Sequence, residues 1–455
     1  MAAPNYRANW QAPEKRGPIT ILKASPPALL AAGFLALIAF GSFLLALPLA
    51  ASPRLGMTDA FFMATSAVTV TGLSVIDPAT DLTRYGQSIL IGLVQLGGLG
   101  FVTFAVLTSL ALGRKLSIRQ QALALQAFNQ TNVSRIRRTA VSVIKISLLI
   151  ELVAAVVLTL WWWRDAPFMV ALKQGIFHAI AAFNNAGFSL FDHSLNIYVN
   201  DAMVVMTITT LIILGGVGFS VLSDIGHKKR WSSLMPYTKV MILGTLGLNA
   251  FGFAMLLLLE HSNPQTLGTL SAHGKALAAW MQSVTARTAG FTTIDITQLR
   301  DSSTLILLFL MFIGGGSLST ASGIKLGTFI ILVAAMWSYI RQSHEVTLMR
   351  RAIDQETIQK SLALVLVTSL LAMLGMFILT LSEARPFLDL LFEAVSALST
   401  TGMTRDVTPD LSMTGKMTIV AMMFVGRLGP LTLVYSLATR KPGRVRYPMA
   451  EFPVG

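Results

Sequence analysis

Four stretches of this chain are versions of one another: Val68-Thr69-Val70-Thr71-Gly72-Leu73-Ser74, Phe183-Asn184-Asn185-Ala186-Gly187-Phe188-Ser189, Ala286-Arg287-Thr288-Ala289-Gly290-Phe291-Thr292 and Ser399-Thr400-Thr401-Gly402-Met403-Thr404. Each reads glycine, apolar residue, Ser or Thr, and the glycines stand 115, 103 and 112 residues apart in a chain of 455. A second marker keeps step with the first. Gly97-Gly98-Leu99-Gly100, Gly215-Gly216-Val217-Gly218, Gly314-Gly315-Gly316 and Gly426-Arg427-Leu428-Gly429 begin 24 to 28 residues after the loop glycine. Two markers in fixed phase specify an internal fourfold repeat.

The composition says where such a repeat sits. Hydrophobic residues make up 54% of the chain and charged residues 12%, against about 25% charged in soluble domains, which excludes a soluble enzyme. Apolar runs lie near residues 28–47, 86–112, 139–163, 203–223, 236–259, 303–340, 361–382 and 414–438, each long enough for the ~20 residues that cross ~30 Å of hydrocarbon. The stretch before each glycine loop is shorter, suited to a re-entrant segment. The expected fold is an all-α polytopic membrane protein of four parallel span/pore-loop/span repeats, with eight transmembrane helices and four re-entrant pore helices around a central pore. Its segments are a cytoplasmic N-terminal segment (1–25), repeat 1 (26–112), a cytoplasmic loop (113–138), repeat 2 (139–226), a second loop (227–235), repeat 3 with a broken inner helix (236–340), a third loop (341–360), repeat 4 (361–438) and a cytoplasmic tail (439–455). The run from Ala28 to Leu47 exceeds the apolar core of about 7 to 15 residues usual in a signal peptide and is expected to be a retained first span. With no cysteine, disulfides and thiolate chemistry are excluded.

The net charge of +14 is a topology signal. One side of the membrane collects 22 basic and 6 acidic residues, the side carrying the loop flanks 9 and 13, so both termini are expected in the cytoplasm. No nucleic-acid binding is implied. Lys145, Glu151, Arg287, Lys325, Glu393 and Arg427 fall inside the apolar segments, where charge is expensive and functional by default.

A short helix dipping in from outside ends at mid-membrane with its partly negative, carbonyl-rich C-terminus, and a glycine lets the following loop turn carbonyls toward the axis. Four such loops form a ring of carbonyl oxygens able to replace the hydration shell of a weakly hydrated monovalent cation. No Asp or Glu lies within the loops, so potassium is the expected ion. A single such glycine would ordinarily be a packing residue; four in register point to a filter. The Gly-Gly-x-Gly clusters fit close helix packing in the first two repeats. In the third repeat, Gly314-Gly315-Gly316-Ser317-Leu318-Ser319-Thr320-Ala321-Ser322-Gly323 interrupts an apolar run too long for one span, and reads either as a mobile gate or as a static break.

With its four loop glycines, broken third inner helix and Gly426-Arg427-Leu428-Gly429, the chain from about residue 28 resembles the Trk/Ktr/HKT superfamily of potassium transporters, within it the bacterial KtrB-type membrane subunits. The resemblance implies that Gly72, Gly187, Gly290 and Gly402 are filter glycines and that Thr71, Ala186, Ala289 and Thr401 lend carbonyls to K+. It implies a gate of Gly314, Gly315, Gly316, Ser317, Ser319, Thr320, Ser322 and Gly323, with Arg427 as an electrostatic constriction and Lys325 close by, unless these cations are merely paired or snorkelling. Glu393 and Arg287 read as braces of the pore helices. It further implies a homodimer in the bacterial inner membrane, with no enzyme activity and no bound cofactor beyond K+, on a cytosolic ring of nucleotide-binding RCK-type regulatory subunits of the KtrA kind. Arg114, Lys115, Arg119, Arg135, Arg137 and Arg138 would meet that ring or anionic lipid, and Tyr447, Pro448 and Phe452 of the tail are candidates for dimer contacts.

Each repeat has one filter glycine where ordinary tetrameric potassium channels have two, which predicts fewer dehydrated sites and room for sodium as a stimulating or co-transported ion. Gly72 stands where sodium-transporting plant relatives carry serine, and favours potassium. A cation-coupled secondary transporter with alternating access is the alternative, and parallel rather than inverted repeats count against it. A receptor or structural protein would tolerate replacement of the filter glycines.

Overall fold

A computed structural model describes residues 26–100 and 133–429, apart from Lys229, Leu318 and His344. The N-terminal segment expected over 1–25, the end of the second apolar run, most of the expected loop 113–138 with Arg114, Lys115 and Arg119, the end of the eighth apolar run and the tail with Tyr447, Pro448 and Phe452 lie outside the described residues, as do the side chains of Arg135, Arg137 and Arg138.

The protein is built from helices: α1 (Pro26–Leu45), α2 (Met57–Thr69), α3 (Arg84–Gly98), α4 (Val133–Trp162), α5 (Phe168–Phe183), α6 (Ala202–Val217), α7 (Phe219–His227), α8 (Pro236–Glu260), α9 (Ala272–Thr285), α10 (Asp301–Phe312), α11 (Leu326–Ile340), α12 (Gln355–Ser382), α13 (Phe387–Ser399) and α14 (Met413–Leu428). A two-stranded hairpin, β1 (Thr347–Leu348) and β2 (Arg351–Ala352), precedes α12. Large apolar side chains on the long helices face outward, among them Leu149, Leu152, Leu258, Leu370, Met373 and Leu381. That exposure is sustainable only where lipid replaces water. By length and composition α8, α12 and the Val141–Trp162 part of α4 can each cross a membrane unaided; this is a multi-pass membrane protein.

The short helices α2, α5, α9 and α13 have 13, 16, 14 and 13 residues, about 20 to 24 Å at 1.5 Å per residue, too short to span. Their residues are mostly buried, because each is packed among other helices: α2 against α1 and α3, α5 against α4 and α6, α9 against α8, α13 against α12 and α14. Ser271 caps α9 by accepting from Gly274 N at 3.1 Å. The ring closes by one rule. The helix that follows each glycine loop packs on the short helix of the next unit: α3 on α5, α6 on α9, α10 on α13, and α14 back on α2.

Among the described residues, two inner helices are broken. The apolar run 303–340 divides as the sequence indicates, α10 ending at Phe312 and α11 starting at Leu326; at 12 and 15 residues the halves reach only about 18 and 22 Å. The run 203–223 reads as one span in sequence but is not one in structure: α6 and α7 meet at 97°. Gly218 makes the corner at φ 107°, ψ 139°, a conformation open to glycine and costly for any residue with a Cβ.

Candidate functional site

The glycine loops begin where the short helices end. In α2, α5 and α13 the end is a Schellman closure: Thr71 N donates to Ser66 O, Ala186 N to Ala181 O and Thr401 N to Ser396 O, each at 2.8 Å, while Val70, Asn185 and Thr400 donate to carbonyls three residues back. The left-handed position of that closure, normally glycine, is held by Val70 (φ 57°), Asn185 (φ 60°) and Thr400 (φ 51°). The third loop is wound differently. Ala289 N reaches Thr285 O at 2.9 Å, and Thr288 carries the positive φ at 76°. For Val and Thr this region is a genuine outlier, held only by the surroundings.

Two residues later each loop turns left-handed again at Gly72 (φ 94°), Gly187 (φ 67°), Gly290 (φ 84°) and Gly402 (φ 83°). The residue between is not in that region, so handedness alternates along the loop, which tends to bring successive carbonyls to one side of a strand. The four loops also touch. A Cβ placed on Gly72 would lie 2.2 Å from Ala186 O, one on Gly187 2.7 Å from Ala289 O, one on Gly290 2.6 Å from Thr401 O and one on Gly402 1.9 Å from Thr71 O. The sequence-derived residues Thr71, Gly72, Ala186, Gly187, Ala289, Gly290, Thr401 and Gly402 are thereby brought into one closed ring of backbone, each glycine facing the carbonyl before the next. Glycine is required because the near neighbour is backbone that cannot step aside.

Behind the ring are hydroxyls and braces. Thr69 Oγ1 and Thr71 Oγ1 are 2.7 Å apart, Ser399 Oγ and Thr401 Oγ1 2.8 Å. Glu393, fully buried, accepts from Thr408 Oγ1 at 2.7 Å, from Arg405 N at 3.1 Å and from Thr404 Oγ1, and so pins the exit of the fourth loop. Glu151 accepts from Gln95 Nε2 at 2.9 Å and Asn184 Nδ2 at 3.2 Å, tying α4 to the end of α3 and to the second loop. Lys145 is exposed on α4 and joins none of this.

The segment between α10 and α11 is a largely buried loop whose two ends lie side by side in parallel. Ile313 bridges Ile324, Gly314 N donates to Ile324 O at 2.8 Å, Leu326 N to Gly315 O at 3.0 Å and Ser319 Oγ to Gly316 O at 2.7 Å. It is moored to the broken end of α6 by Gly316 N to Gly216 O (2.7 Å) and Thr320 N to Gly215 O (3.3 Å), and to α8 by Ser317 N to Tyr237 Oη (3.1 Å). Arg427 from α14 donates to Thr320 O, to Gly97 O at 2.6 Å and to Gly98 O at 3.3 Å, with Ser322 Oγ at 3.5 Å. Lys325 Nζ folds back on Ala321 O at 2.6 Å. Gly314, Gly315, Gly316, Ser317, Ser319, Thr320, Ser322, Gly323, Lys325 and Arg427 thus form one assembly, and both cations are spent on carbonyls rather than on carboxylates.

Arg287 does more than brace α9. Its Nη2 donates to Gly314 O at 3.2 Å and Nη1 lies 3.4 Å from Asn249 Oδ1, so the third glycine loop is bonded to the start of the 314–323 loop. Sequence reasoning missed this link, and missed Val70, Asn185, Thr288 and Thr400 as left-handed positions. Only Asn185 carried any signal, since Asn tolerates that region.

Both the sequence and the fold of this chain are matched by known proteins. The profile of the TrkH family, described as cation transport protein, matches residues 28–443. The Ktr system potassium uptake protein B of Bacillus subtilis (strain 168) is 43% identical over 434 residues, covering 95% of this chain and 98% of that protein. The protein of the same name from Vibrio alginolyticus is 39% identical over 428 residues, 94% of each. The crystal structure of the potassium transporter TrkH from Vibrio parahaemolyticus superposes with a TM-score of 0.71 at 21% identity, covering 93% of this chain and 87% of that one, a likeness of fold. Sequence over nearly the whole length and fold agree: the chain belongs to the TrkH family of cation transport proteins.

Proposed function

We propose that this chain is the potassium-translocating membrane subunit of a Ktr/Trk-type uptake system, through which K+ passes down its electrochemical gradient. The observation that carries the reading is the closure of the four glycine loops, with the carbonyls of Thr71, Ala186, Ala289 and Thr401 each set against the glycine of the preceding loop around the ring. Such carbonyls exchange for water around a large monovalent cation at little cost, and a ring without carboxylates offers nothing extra to a divalent one. The names of the relatives above support potassium as the substrate.

The 314–323 loop is the gate in this reading. Arg427 latches it through the Thr320 carbonyl, and with Lys325 presents positive charge on the ion's path. The positive-inside count supports cytoplasmic termini in a bacterial inner membrane, and the Ktr relationship supports a homodimer working with a cytosolic nucleotide-binding ring. One loop glycine per unit supports limited discrimination, with sodium sharing or stimulating the path.

The test is K+ uptake in transport-deficient cells carrying the wild type or Gly290→Ser, titrated with external K+ and Na+ and with the cytosolic partner co-expressed. The expected result is a half-saturating K+ concentration raised about tenfold, the scale of about 1.4 kcal/mol, with Na+ competing. An unaltered titration at equal expression overturns the filter assignment.

A further inference from the structure

Among the contacts that join the ring of loops to the loop between α10 and α11, one chain of side chains runs from end to end. Thr320 Oγ1 donates between Phe183 O at 3.2 Å and Asn185 Oδ1 at 3.3 Å. The other end of the same amide, Asn185 Nδ2, donates to Thr288 Oγ1 at 3.4 Å. Thr320, Asn185 and Thr288 are at most 1% exposed, so none of these groups has water as an alternative partner, and leaving one unpaired is costly.

The placement of the three residues gives the chain its meaning. Asn185 and Thr288 are the left-handed residues of the second and third loops, each immediately before a ring carbonyl, Ala186 and Ala289. Thr320 belongs to the other loop, and its own carbonyl is the one Arg427 holds. Among the described residues nothing equivalent is present in the first and fourth loops. Val70 has no polar side-chain atom, and Thr400 Oγ1 is buried without a partner.

We propose that Thr320 and Asn185 are a positioning pair that makes the K+/Na+ preference of the ring depend on whether the 314–323 loop is seated. This rests on the filter and gate assignment above and adds specificity-determining residues to it. With the loop seated, the Thr320 hydroxyl fixes the Asn185 amide, which fixes Thr288, and two of the four loops present their carbonyls in one orientation. When the loop leaves, the hydroxyl leaves with it. The ring then tolerates more than one carbonyl arrangement, and discrimination based on the number and field of carbonyl dipoles weakens. Two features favour this role over simple packing: the contact is made by hydroxyl and amide groups, and it links residues 135 and 103 positions apart, so it forms only when the ring and the loop are both in place.

The test reconstitutes the full-length protein in liposomes and reads two quantities, the K+/Na+ permeability ratio from the zero-flux potential and the total K+ flux. Thr320→Val, which keeps shape and removes the hydroxyl, and Asn185→Gly, which keeps the left-handed backbone and removes the amide, should each lower the ratio about fivefold, the factor one neutral hydrogen bond carries. The double variant should lower it no further, and Thr320→Ser should retain the wild-type ratio. A ratio unchanged in Thr320→Val while flux rises makes Thr320 a gate latch only and overturns the pairing, as do losses that multiply in the double variant. Gly290→Ser, run in parallel, separates the two levels: if it shifts the ratio and Thr320→Val does not, the pairing alone falls, whereas no shift in Gly290→Ser removes the filter reading and the pairing with it.

Discussion

Gly97, Gly215 and Gly426 occupy matching places in the first, second and fourth units, and a Cβ on any of them would sit about 2 Å from a carbonyl four residues before a ring glycine: Val68 O, Phe183 O and Leu398 O at 2.0, 1.9 and 2.0 Å. Gly314 is their counterpart in the third unit. Its Cβ would meet Ser322 O at 1.8 Å, a carbonyl of its own loop. Three units therefore use the glycine to let an unbroken turn of helix press against the end of a short helix, and the third has given up that contact. What occupies the vacated position is Arg287, reaching from the third glycine loop to Gly314 O. The same sequence marker serves packing in one place and a break in another, and the difference lies in which carbonyl of its own unit each glycine meets.

The comparison can be broken most directly at the ring. Gly402→Ala drives a Cβ to 1.9 Å from the Thr71 carbonyl and should cut K+ uptake by about a hundredfold, whereas Gly92→Ala and Gly247→Ala, which meet nothing within 4 Å, should stay within about twofold; isotope uptake at matched expression decides it. Deleting residues 314–323 comes next. Ile313 and Ile324 pair in parallel, so joining them directly displaces the facing ends of α10 and α11, and K+ flux should rise about tenfold with the preference for K+ reduced. Equal flux in the deletion and the wild type would sink the gate.

Smaller effects sharpen the contrast. Gly97→Ala, Gly215→Ala and Gly426→Ala should lower thermal stability by the equivalent of about 2 to 4 kcal/mol, while Gly314→Ala should dislodge the loop and raise flux a few fold with a smaller loss of stability. Arg287→Gln should also raise flux about threefold, since it unties the third loop from Gly314. The least change is expected for Glu151→Gln: a carboxamide can keep most of the contacts with Gln95 and Asn184, and both flux and stability should move by no more than one hydrogen bond, about 1 kcal/mol.

The short helices, the glycine loops and the break at 314–323 were legible in the sequence because each is a local pattern: a length of apolar chain, a glycine, a cluster of small residues. The bend at Gly218 was not, since Gly215-Gly216-Val217-Gly218 sits inside an apolar run of ordinary length and nothing local marks the corner. The left-handed Val70, Thr288 and Thr400 were hidden by their chemistry, β-branched residues being the last that local preference would place there. The bond from Thr320 to Asn185 joins two units and the bond from Arg287 to Gly314 joins two loops of one unit, and no periodicity reports such partners before the ring is closed. Lys325 and Arg427 were legible as cations within apolar segments; that they would be satisfied by carbonyls and not by acids was not.

The ring described here is closed by a single covalent chain, with α14 returning to α2 and Gly402 to Thr71. In a pore assembled from four identical chains every substitution arrives in four copies, so a side chain useful on one side must be bearable on all. Here each position is sampled once. A cation such as Arg287 can stand beside one loop without three others repelling it across the axis, and an amide such as Asn185 can address one neighbour. Joining the units end to end releases the path from symmetry, and the asymmetry between its quadrants is what that release makes available.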